Sequence, residues 1–257
     1  MKTNLFRNRW FQRILSLVVI IVVWQILAQN VNPILFSPPT RVAARFYDLW
    51  TNGPLAFDTL VTIETIIISF VLSLIVGIPL GLVMGRIRPL EYGLDPYITL
   101  IYATPTIAVV PLMVIWFGSN LSSSFLLVML HAVPPLIINT LVGVRVVSNT
   151  LVETGRSFGF EGVSLWRKVV LPASLPFVMA GIRIAIGAAV IGTMVAEIFL
   201  FTTGLGYILV YYAQTFDSAA VICGVLIVMA LGIAFTELAK LLQRHLGKWS
   251  VTATGIK

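Results

Sequence analysis

Charged residues are scarce in this chain of 257 residues, because Asp, Glu, Lys and Arg together make up only 11% of it. Soluble domains carry about 25% charged and about 45–50% apolar residues. Here 58% of the residues are hydrophobic, and the mean hydropathy is +0.99. A soluble domain of this size cannot bury so many apolar side chains, since much of its surface stays in water. The composition excludes a soluble enzyme or a disordered chain and predicts an integral membrane protein.

Residues and motifs that carry chemistry are also few. Cys223 is the single cysteine and lies in an apolar run, so it forms no intrachain disulfide and is expected to be buried. The chain has no phosphate-binding G-x-x-x-x-G-K-[ST] loop, no H-E-x-x-H or G-x-S-x-G motif, and no Cys or His set with metal spacing. We therefore expect neither an enzyme nor a resident cofactor or metal. Active transport would need an ion gradient or a separate subunit.

Long apolar runs, in contrast, fill the chain. A helix needs about 20 apolar residues to cross the hydrocarbon core of a membrane, and six stretches qualify. They lie at about residues 14–31, 59–84, 97–117, 123–144, 175–199 and 219–239. These runs are too long for the strands of a membrane barrel and lack their alternation. The sequence predicts an all-α membrane protein with six spans in a single domain, residues 1–257.

The placement of basic residues predicts the orientation of the spans. Of the 17 Lys and Arg residues, 14 lie at the two ends of the chain or in the loops after spans two and four. The opposite side has only Arg41 and Arg45, and Arg183 falls within span five. Because cytoplasmic loops are enriched in Lys and Arg, both termini are predicted to be cytoplasmic. The net charge of +7 then reflects topology and requires no nucleic-acid partner.

Small residues recur on one face of two spans. Span two has Gly77, Gly81 and Gly85 four residues apart, and span five has a run of glycines and alanines from Gly181 to Ala196. Such faces let a second helix approach closely. Both spans are therefore expected to pack inside a bundle or at a subunit contact.

Helix breaks and intramembrane charges mark a candidate pathway. In span three, Thr104-Pro105-Thr106 and Pro111 predict two breaks, because proline lacks a backbone donor and frees a carbonyl. In a membrane such breaks face protein or a water-filled cavity, although kinks that only shape packing are an equal alternative. Arg183 and Glu197 in span five each need a partner or water. His131 in span four is expected to make a hydrogen-bonded helix contact.

The predicted cytoplasmic loop, residues 145–174, is the most informative segment. Gly159 and Gly162 bracket a turn, and Leu171-Pro172 is expected to end a second short helix before span five. The pattern predicts two short amphipathic helices joined by a glycine turn and held against the membrane. Exposed apolar side chains beside the turn, such as Phe158 and Phe160, would make it a docking surface.

In this loop the chain resembles the permease subunits of bacterial ABC importers. Their cytoplasmic motif is E-A-A, three residues, Gly, nine residues and then I-x-L-P. The matching positions here are Glu153, Gly159, Val169, Leu171 and Pro172, while Thr154 and Gly155, both small, replace the two alanines. The ATPase-coupling residues that the resemblance implies are Glu153, Thr154, Gly155, Gly159, Phe160, Val169, Leu171 and Pro172.

The resemblance extends over nearly the whole chain and narrows to the nitrate/sulfonate/taurine/bicarbonate type of permease. The further segments that carry it are Ser37-Pro38-Pro39, Gly77-Ile78-Pro79-Leu80-Gly81, the stretch from Pro105 to Gly118, Gly181-Ile182-Arg183, Ala196-Glu197 and Gly204-Leu205-Gly206-Tyr207. In that family Arg183 has its usual place in Gly-Ile-Arg, which implies a structural or gating role.

The resemblance also implies a fold and a set of partners. The fold would be that of a type I ABC importer permease in the bacterial cytoplasmic (inner) membrane. A second permease copy, often identical, completes the pathway. Two ATP-binding subunits hold ATP and magnesium and dock on the loop 145–174, and an extracytoplasmic solute-binding protein delivers the substrate.

The substrate class is left open between two kinds of solute. Oxyanions such as nitrate, a sulfonate such as taurine, or bicarbonate fit the family, and a neutral or aromatic solute such as a thiamine-precursor pyrimidine is the alternative. A secondary transporter is a more distant alternative. It would need coupling charges within the membrane, for which Arg183 and Glu197 are the deep candidates.

Overall fold

The computed structural model describes residues 9–32, 34–200 and 202–246, and within them the chain is helical with no strand. The helices are α1 (Arg9–Gln29), α2 (Pro39–Thr51), α3 (Leu55–Arg86), α4 (Arg88–Ala103), α5 (Thr106–Phe117), α6 (Leu121–Arg145), α7 (Asn149–Ser157), α8 (Gly162–Leu165), α9 (Leu171–Leu200), α10 (Leu205–Gln214) and α11 (Ser218–Leu246). A π-helical turn, Trp166–Val170, joins α8 to α9. The all-α fold predicted from the sequence is confirmed.

Five helical segments within the described residues are long and apolar enough to cross a membrane. They are Phe11–Gln29, Leu55–Arg86, Leu121–Arg145, Gly162–Leu200 and Ser218–Arg244. The helices α4 and α5 are long and apolar enough only when taken together, and they are bent by 101° across the two residues between them, so the number of spans is six if this pair is one broken span. The six predicted spans therefore correspond to five continuous helices and one broken pair.

The break predicted beside Pro105 in the third span, residues 97–117, is confirmed, although the helix before it starts earlier than expected. The helix α4 already begins at Arg88 and ends at Ala103, and Thr104 has extended backbone with ψ 126°. Pro105 causes this ending, since proline disfavours helical backbone in the residue before it and has no N–H to donate. The second predicted break, at Pro111, does not occur, because α5 continues through Pro111.

Leu171-Pro172 was expected to end a short helix, and this prediction is also wrong. These residues begin α9, and the helical backbone runs from Gly162 to Leu200 without a loop. The π-helical turn explains how it continues. Its wider hydrogen-bonding pattern, in which the Leu171 N–H donates to the Trp166 carbonyl, accommodates the backbone donor that Pro172 lacks.

The buried face of α3 is made mainly of small and polar residues. Its members from Thr62 to Gly81 are Thr62, Thr65, Ile66, Ser69, Ser73, Gly77 and Gly81. Large apolar side chains such as Ile67, Val71 and Ile75 are exposed instead. This is the arrangement expected in lipid, where apolar side chains face outward and small residues let helices approach.

Glycines determine how closely α3, α6 and α9 pack. A Cβ atom added at Gly77, Gly81 or Gly85 would lie 2.7 Å from a side-chain atom of α6, at Leu136, Thr140 and Val144 respectively. On the other side of α6, a Cβ at Gly181 would lie 2.9 Å from Asn139 and one at Gly192 would lie 3.1 Å from the Val128 Cα. The small-residue faces predicted in spans two and five are therefore helix contacts within this chain.

The chain divides into two compact units, and the prediction of one permease domain over residues 1–257 stays a prediction. The first unit comprises the described parts of Met1–Leu60 and Thr203–Met229, and the second those of Val61–Thr202 and Ala230–Lys257. The second unit has an apolar core built chiefly from α5, α6 and α9, which includes Leu127, Leu136 and Ala189.

The first unit contains polar contacts between its helices in addition to buried apolar side chains such as Leu55 and Leu205. The Arg45 Nε on α2 donates to the Asp217 Oδ2 before α11 at 2.9 Å, and the Asp58 Oδ1 accepts the Gly204 N–H before α10 at 2.6 Å. The Arg45 guanidinium also lies 5.8 Å from the centre of the Tyr212 ring. Burial raises the pKa of the Tyr212 phenol, although Arg45 offsets part of that rise, so the phenol is neutral near pH 7.

We expect Gly81→Ala to lower the thermal stability of the protein by about 1–3 kcal/mol, because the new methyl group would overlap Thr140 and the Ile137 carbonyl. The matched control is Gly187→Ala, where an added Cβ meets nothing within 4 Å. Because alanine has a higher helix propensity than glycine, this control should leave the free energy of unfolding unchanged or raise it by up to about 1 kcal/mol. Thermal unfolding in detergent measures both, and equal effects of the two variants would contradict close packing at Gly81.

Candidate coupling and pathway sites

The loop between α6 and α9 forms a helical hairpin, residues 149–170, which we call the coupling hairpin. The helix α7 ends in a turn whose Gly159 N–H donates to the Arg156 carbonyl at 2.8 Å and whose Phe160 N–H donates to the Gly155 carbonyl at 3.1 Å. This is the Schellman motif, which needs a left-handed residue after the helix. Gly159 supplies it with φ +79°. The glycine turn predicted from the sequence is confirmed.

The interior of the coupling hairpin includes three residues that the resemblance assigned to ATPase coupling. A Cβ at Gly155 would lie 2.9 Å from both the Leu165 Cδ1 and the Val169 Cγ2, so Gly155 and Val169 pack against each other's helices. The expectation that Phe160 is exposed is wrong, because it is half-buried and the Lys168 Nζ lies 4.5 Å from the centre of its ring. These residues maintain the hairpin shape and leave other side chains to face outward.

The outward face of the coupling hairpin is apolar at its tip. Phe158 is 76% exposed and Val163 is 73% exposed, one on each side of the turn. Glu153 and Thr154 are exposed on α7. Sequence reasoning missed Val163, because an isolated apolar residue in a four-residue helix gives no periodic signal.

Leu171 and Pro172, at the other end of the hairpin, are exposed where α9 begins. Next to them the hairpin contacts the transmembrane helices. The Arg86 guanidinium, at the end of α3, lies 5.7 Å from the centre of the Trp166 ring. Glu91 on α4 forms a salt bridge with Arg145 at the end of α6. The first contact thus joins the base of the hairpin to the end of α3, and the second joins the start of α4 to the end of α6.

A hydrogen bond to α6 lies directly beside the break between α4 and α5. The Thr106 Oγ1 and the His131 Nδ1 are 2.8 Å apart, which confirms the helix contact predicted for His131. Thr106 is buried, whereas Thr104, Pro105 and Pro111 are exposed. The Thr104 hydroxyl donates to the Leu100 carbonyl of its own helix at 2.7 Å.

The two deep charges of α9 lie in different surroundings. Arg183 is exposed, 12 residues and therefore about 18 Å along the helix from Leu171. Glu197 is fully buried, and its Oε2 accepts the Thr62 hydroxyl at 3.0 Å. Among the described residues no ion pair involves Arg183. In the same parts of the chain no group of three His, Cys, Asp or Glu side chains is placed to hold a metal ion.

Known proteins resemble the chain in both sequence and fold. The family described as "Binding-protein-dependent transport system inner membrane component" matches residues 77–248. The putative aliphatic sulfonates transport permease protein SsuC of Bacillus subtilis is 32% identical over 95% of this chain and 89% of that protein. The taurine transport system permease protein TauC of Escherichia coli is 28% identical over 91% and 88%.

A solved structure shows the same fold. The inward-facing MetNI methionine ABC transporter matches 75% of this chain and 95% of its own matched chain with a TM-score of 0.67 at 18% sequence identity. At that identity the similarity speaks for the fold alone.

We expect Thr62→Val to destabilise the protein by about 1–3 kcal/mol, because it removes a hydrogen-bond donor from the buried Glu197 carboxylate. Thr65→Val is the matched control. Thr65 is also buried on α3, but its hydroxyl donates to the Val61 carbonyl of its own helix at 2.9 Å. Denaturation in detergent should separate the two variants, and a stable Thr62→Val protein would show that the Glu197 carboxylate does not depend on this donor.

Proposed function

The chain belongs to the family of binding-protein-dependent transport system inner membrane components and is the permease subunit of an ABC importer. We propose that its coupling hairpin is the docking site of the ATPase subunits. The chain itself is a multi-pass membrane protein. ATP and magnesium would bind to the partner subunits, whose hydrolysis of ATP drives transport. Phe158 and Val163, exposed at the tip, offer the apolar contact, and Glu153 and Thr154 offer a polar border to it.

The observation that carries this proposal is the continuous helical backbone from α8 through the π-helical turn into α9. A flexible loop would absorb a displacement of the tip, whereas a continuous helix transmits it. Leu171 and Pro172 lie where the hairpin becomes the transmembrane helix. When ATP draws two ATPases together, each hairpin would move with its ATPase and tilt α9, together with the closely packed α6, between inward- and outward-facing states.

The translocation pathway is proposed to lie between two copies of this chain. Thr104, Pro105, Pro111 and Arg183 are all exposed on the single chain. Arg183 lies about 18 Å along α9 from its start, and a charged side chain at such a depth faces water or protein and not lipid. A second copy would cover these residues and enclose the water-filled path. Glu197, buried against Thr62, would hold α9 against α3 and not contact the solute.

The proposed substrate is a sulfonate, delivered by an extracytoplasmic solute-binding protein. The relatives that support this class are the aliphatic sulfonates permease SsuC and the taurine permease TauC, which align over most of the chain. The binding protein would impose most of the selectivity, because the exposed pathway residues include one charged group, Arg183.

We expect Gly159→Arg to abolish ATP-driven uptake and to release the ATPase from the purified complex. Only glycine adopts φ +79° at this turn without strain, and the long arginine side chain would cover the tip.

Phe158→Asp should weaken ATPase binding at least tenfold without changing the backbone, because it removes an apolar contact of about 1.5–3 kcal/mol.

Phe216→Asp is the matched control for Phe158→Asp, since Phe216 is 72% exposed in the turn between α10 and α11. Co-purification of the ATPase is the measurement, and the control should retain it fully. Unchanged uptake by Gly159→Arg with the ATPase still bound would refute docking on the coupling hairpin.

The substrate proposal is tested with the complex reconstituted in liposomes together with its cognate solute-binding protein. We expect taurine or another aliphatic sulfonate to accelerate ATP hydrolysis and to accumulate in the liposomes. A binding protein that binds a thiamine-precursor pyrimidine and no sulfonate would overturn the substrate class. The docking proposal does not depend on that outcome.

A further inference from the structure

We propose that Arg86, Arg88 and Arg167 form a binding site for the headgroup of an anionic phospholipid. The site lies where α3 ends, α4 begins and the π-helical turn passes beside them. It goes beyond the transport function, because it concerns the lipid that surrounds the coupling hairpin and not the solute.

One aromatic contact brings the three arginines into the same region. The Arg86 guanidinium lies 5.7 Å from the centre of the Trp166 ring, and Arg167 follows Trp166 directly in the π-helical turn. Arg88 is the first residue of α4, two residues beyond Arg86. All three arginine side chains are exposed. Arg86 and Arg88 thus lie two residues apart where α3 gives way to α4, and the Arg86–Trp166 contact places the backbone of Arg167 beside them.

The charge of this region is not neutralised within the chain. Glu91, the carboxylate in the first turn of α4, is already paired with Arg145, and none of the salt bridges among the described residues includes Arg86, Arg88 or Arg167. Arg88 lies at the positive end of the α4 dipole, where a cation is disfavoured. An anion bound beside Arg88 would offset this unfavourable placement.

The position along the helices indicates a lipid and not a soluble anion. Arg86 is the last residue of the span Leu55–Arg86, and Arg167 lies near the start of the span Gly162–Leu200. Charged residues at the ends of spans lie at the level of the headgroups, where tryptophan is also enriched. The exposed apolar side chains of Val83 and Ile87 lie next to the arginines in sequence. Guanidinium groups suit the phosphodiester, and these apolar residues suit the acyl chains.

The experiment uses the purified complex of the permease with its ATPase subunits in nanodiscs that contain phosphatidylglycerol and phosphatidylcholine. Native mass spectrometry then measures which lipid remains bound. We expect the wild-type complex to retain phosphatidylglycerol in preference. Because one basic residue near an anionic membrane surface contributes roughly a fivefold preference, the variant Arg86→Gln, Arg88→Gln, Arg167→Gln should lose that preference by at least tenfold.

The control is a variant with Arg13→Gln, Arg41→Gln and Arg244→Gln, which removes the same charge from three exposed arginines elsewhere in the chain. It should lower the preference less than the site variant does, and equal losses in the two variants would overturn the site. Where the triple variant fails to assemble with the ATPase, Arg88→Gln alone should lower the preference about fivefold. An unchanged preference in the variant lacking Arg86, Arg88 and Arg167, or in Arg88→Gln, would overturn the site. Displacement of phosphatidylglycerol by millimolar inorganic phosphate would also overturn it, because a soluble anion would then be the ligand. Loss of transport with the lipid preference intact would concern the proposed function alone.

Discussion

The close approach of α6 to α3 on one side and to α9 on the other is the constraint on which the rest of the structure depends. It is possible because glycines face α6, so that backbones meet where side chains would otherwise keep them apart. Lipid offers no hydrophobic force to pull apolar helices together, and packing between well-fitted surfaces has to replace it. The small and polar buried face of α3 and its apolar outer face follow from the same requirement.

This packing connects the coupling hairpin to the transmembrane helices. The helix that begins at Gly162 passes through the π-helical turn and continues to Leu200, and along that length it packs on α6 at Gly143, Gly181 and Gly192. A displacement at the tip therefore cannot be lost in a loop. The interior contacts of Gly155 with Leu165 and Val169 hold the two arms of the hairpin together when its tip is displaced.

The division of labour among the motif residues became visible only in three dimensions. Glu153 and Thr154 face outward, whereas Gly155 and Val169 pack inward and Phe160 lies under Lys168. A linear motif lists these positions side by side and does not separate residues that touch a partner from residues that shape the surface. The roles proposed for them rest on exposure and on contacts that no spacing rule contains.

The sequence by itself determined the membrane class, the six apolar segments, the small-residue faces and the glycine turn. These features depend on composition and on local spacing along the chain, and the sequence contains both completely. The tertiary structure decided that, of the two breaks predicted in span three, the one at Pro105 occurs and the one at Pro111 does not, and that Leu171-Pro172 begins α9. Each of these outcomes depends on whether neighbouring helices and a wider turn can replace the missing backbone donor.

The same division applies to the charges. Their sequence positions predicted an orientation, but the environment of each one depends on what packs against it. Arg183 and Glu197 lie on one helix, yet one is exposed and the other is fully buried against Thr62. The sequence limits which residues are costly in a membrane, and only the packed structure decides which of them meets a hydrogen bond and which is left facing outward.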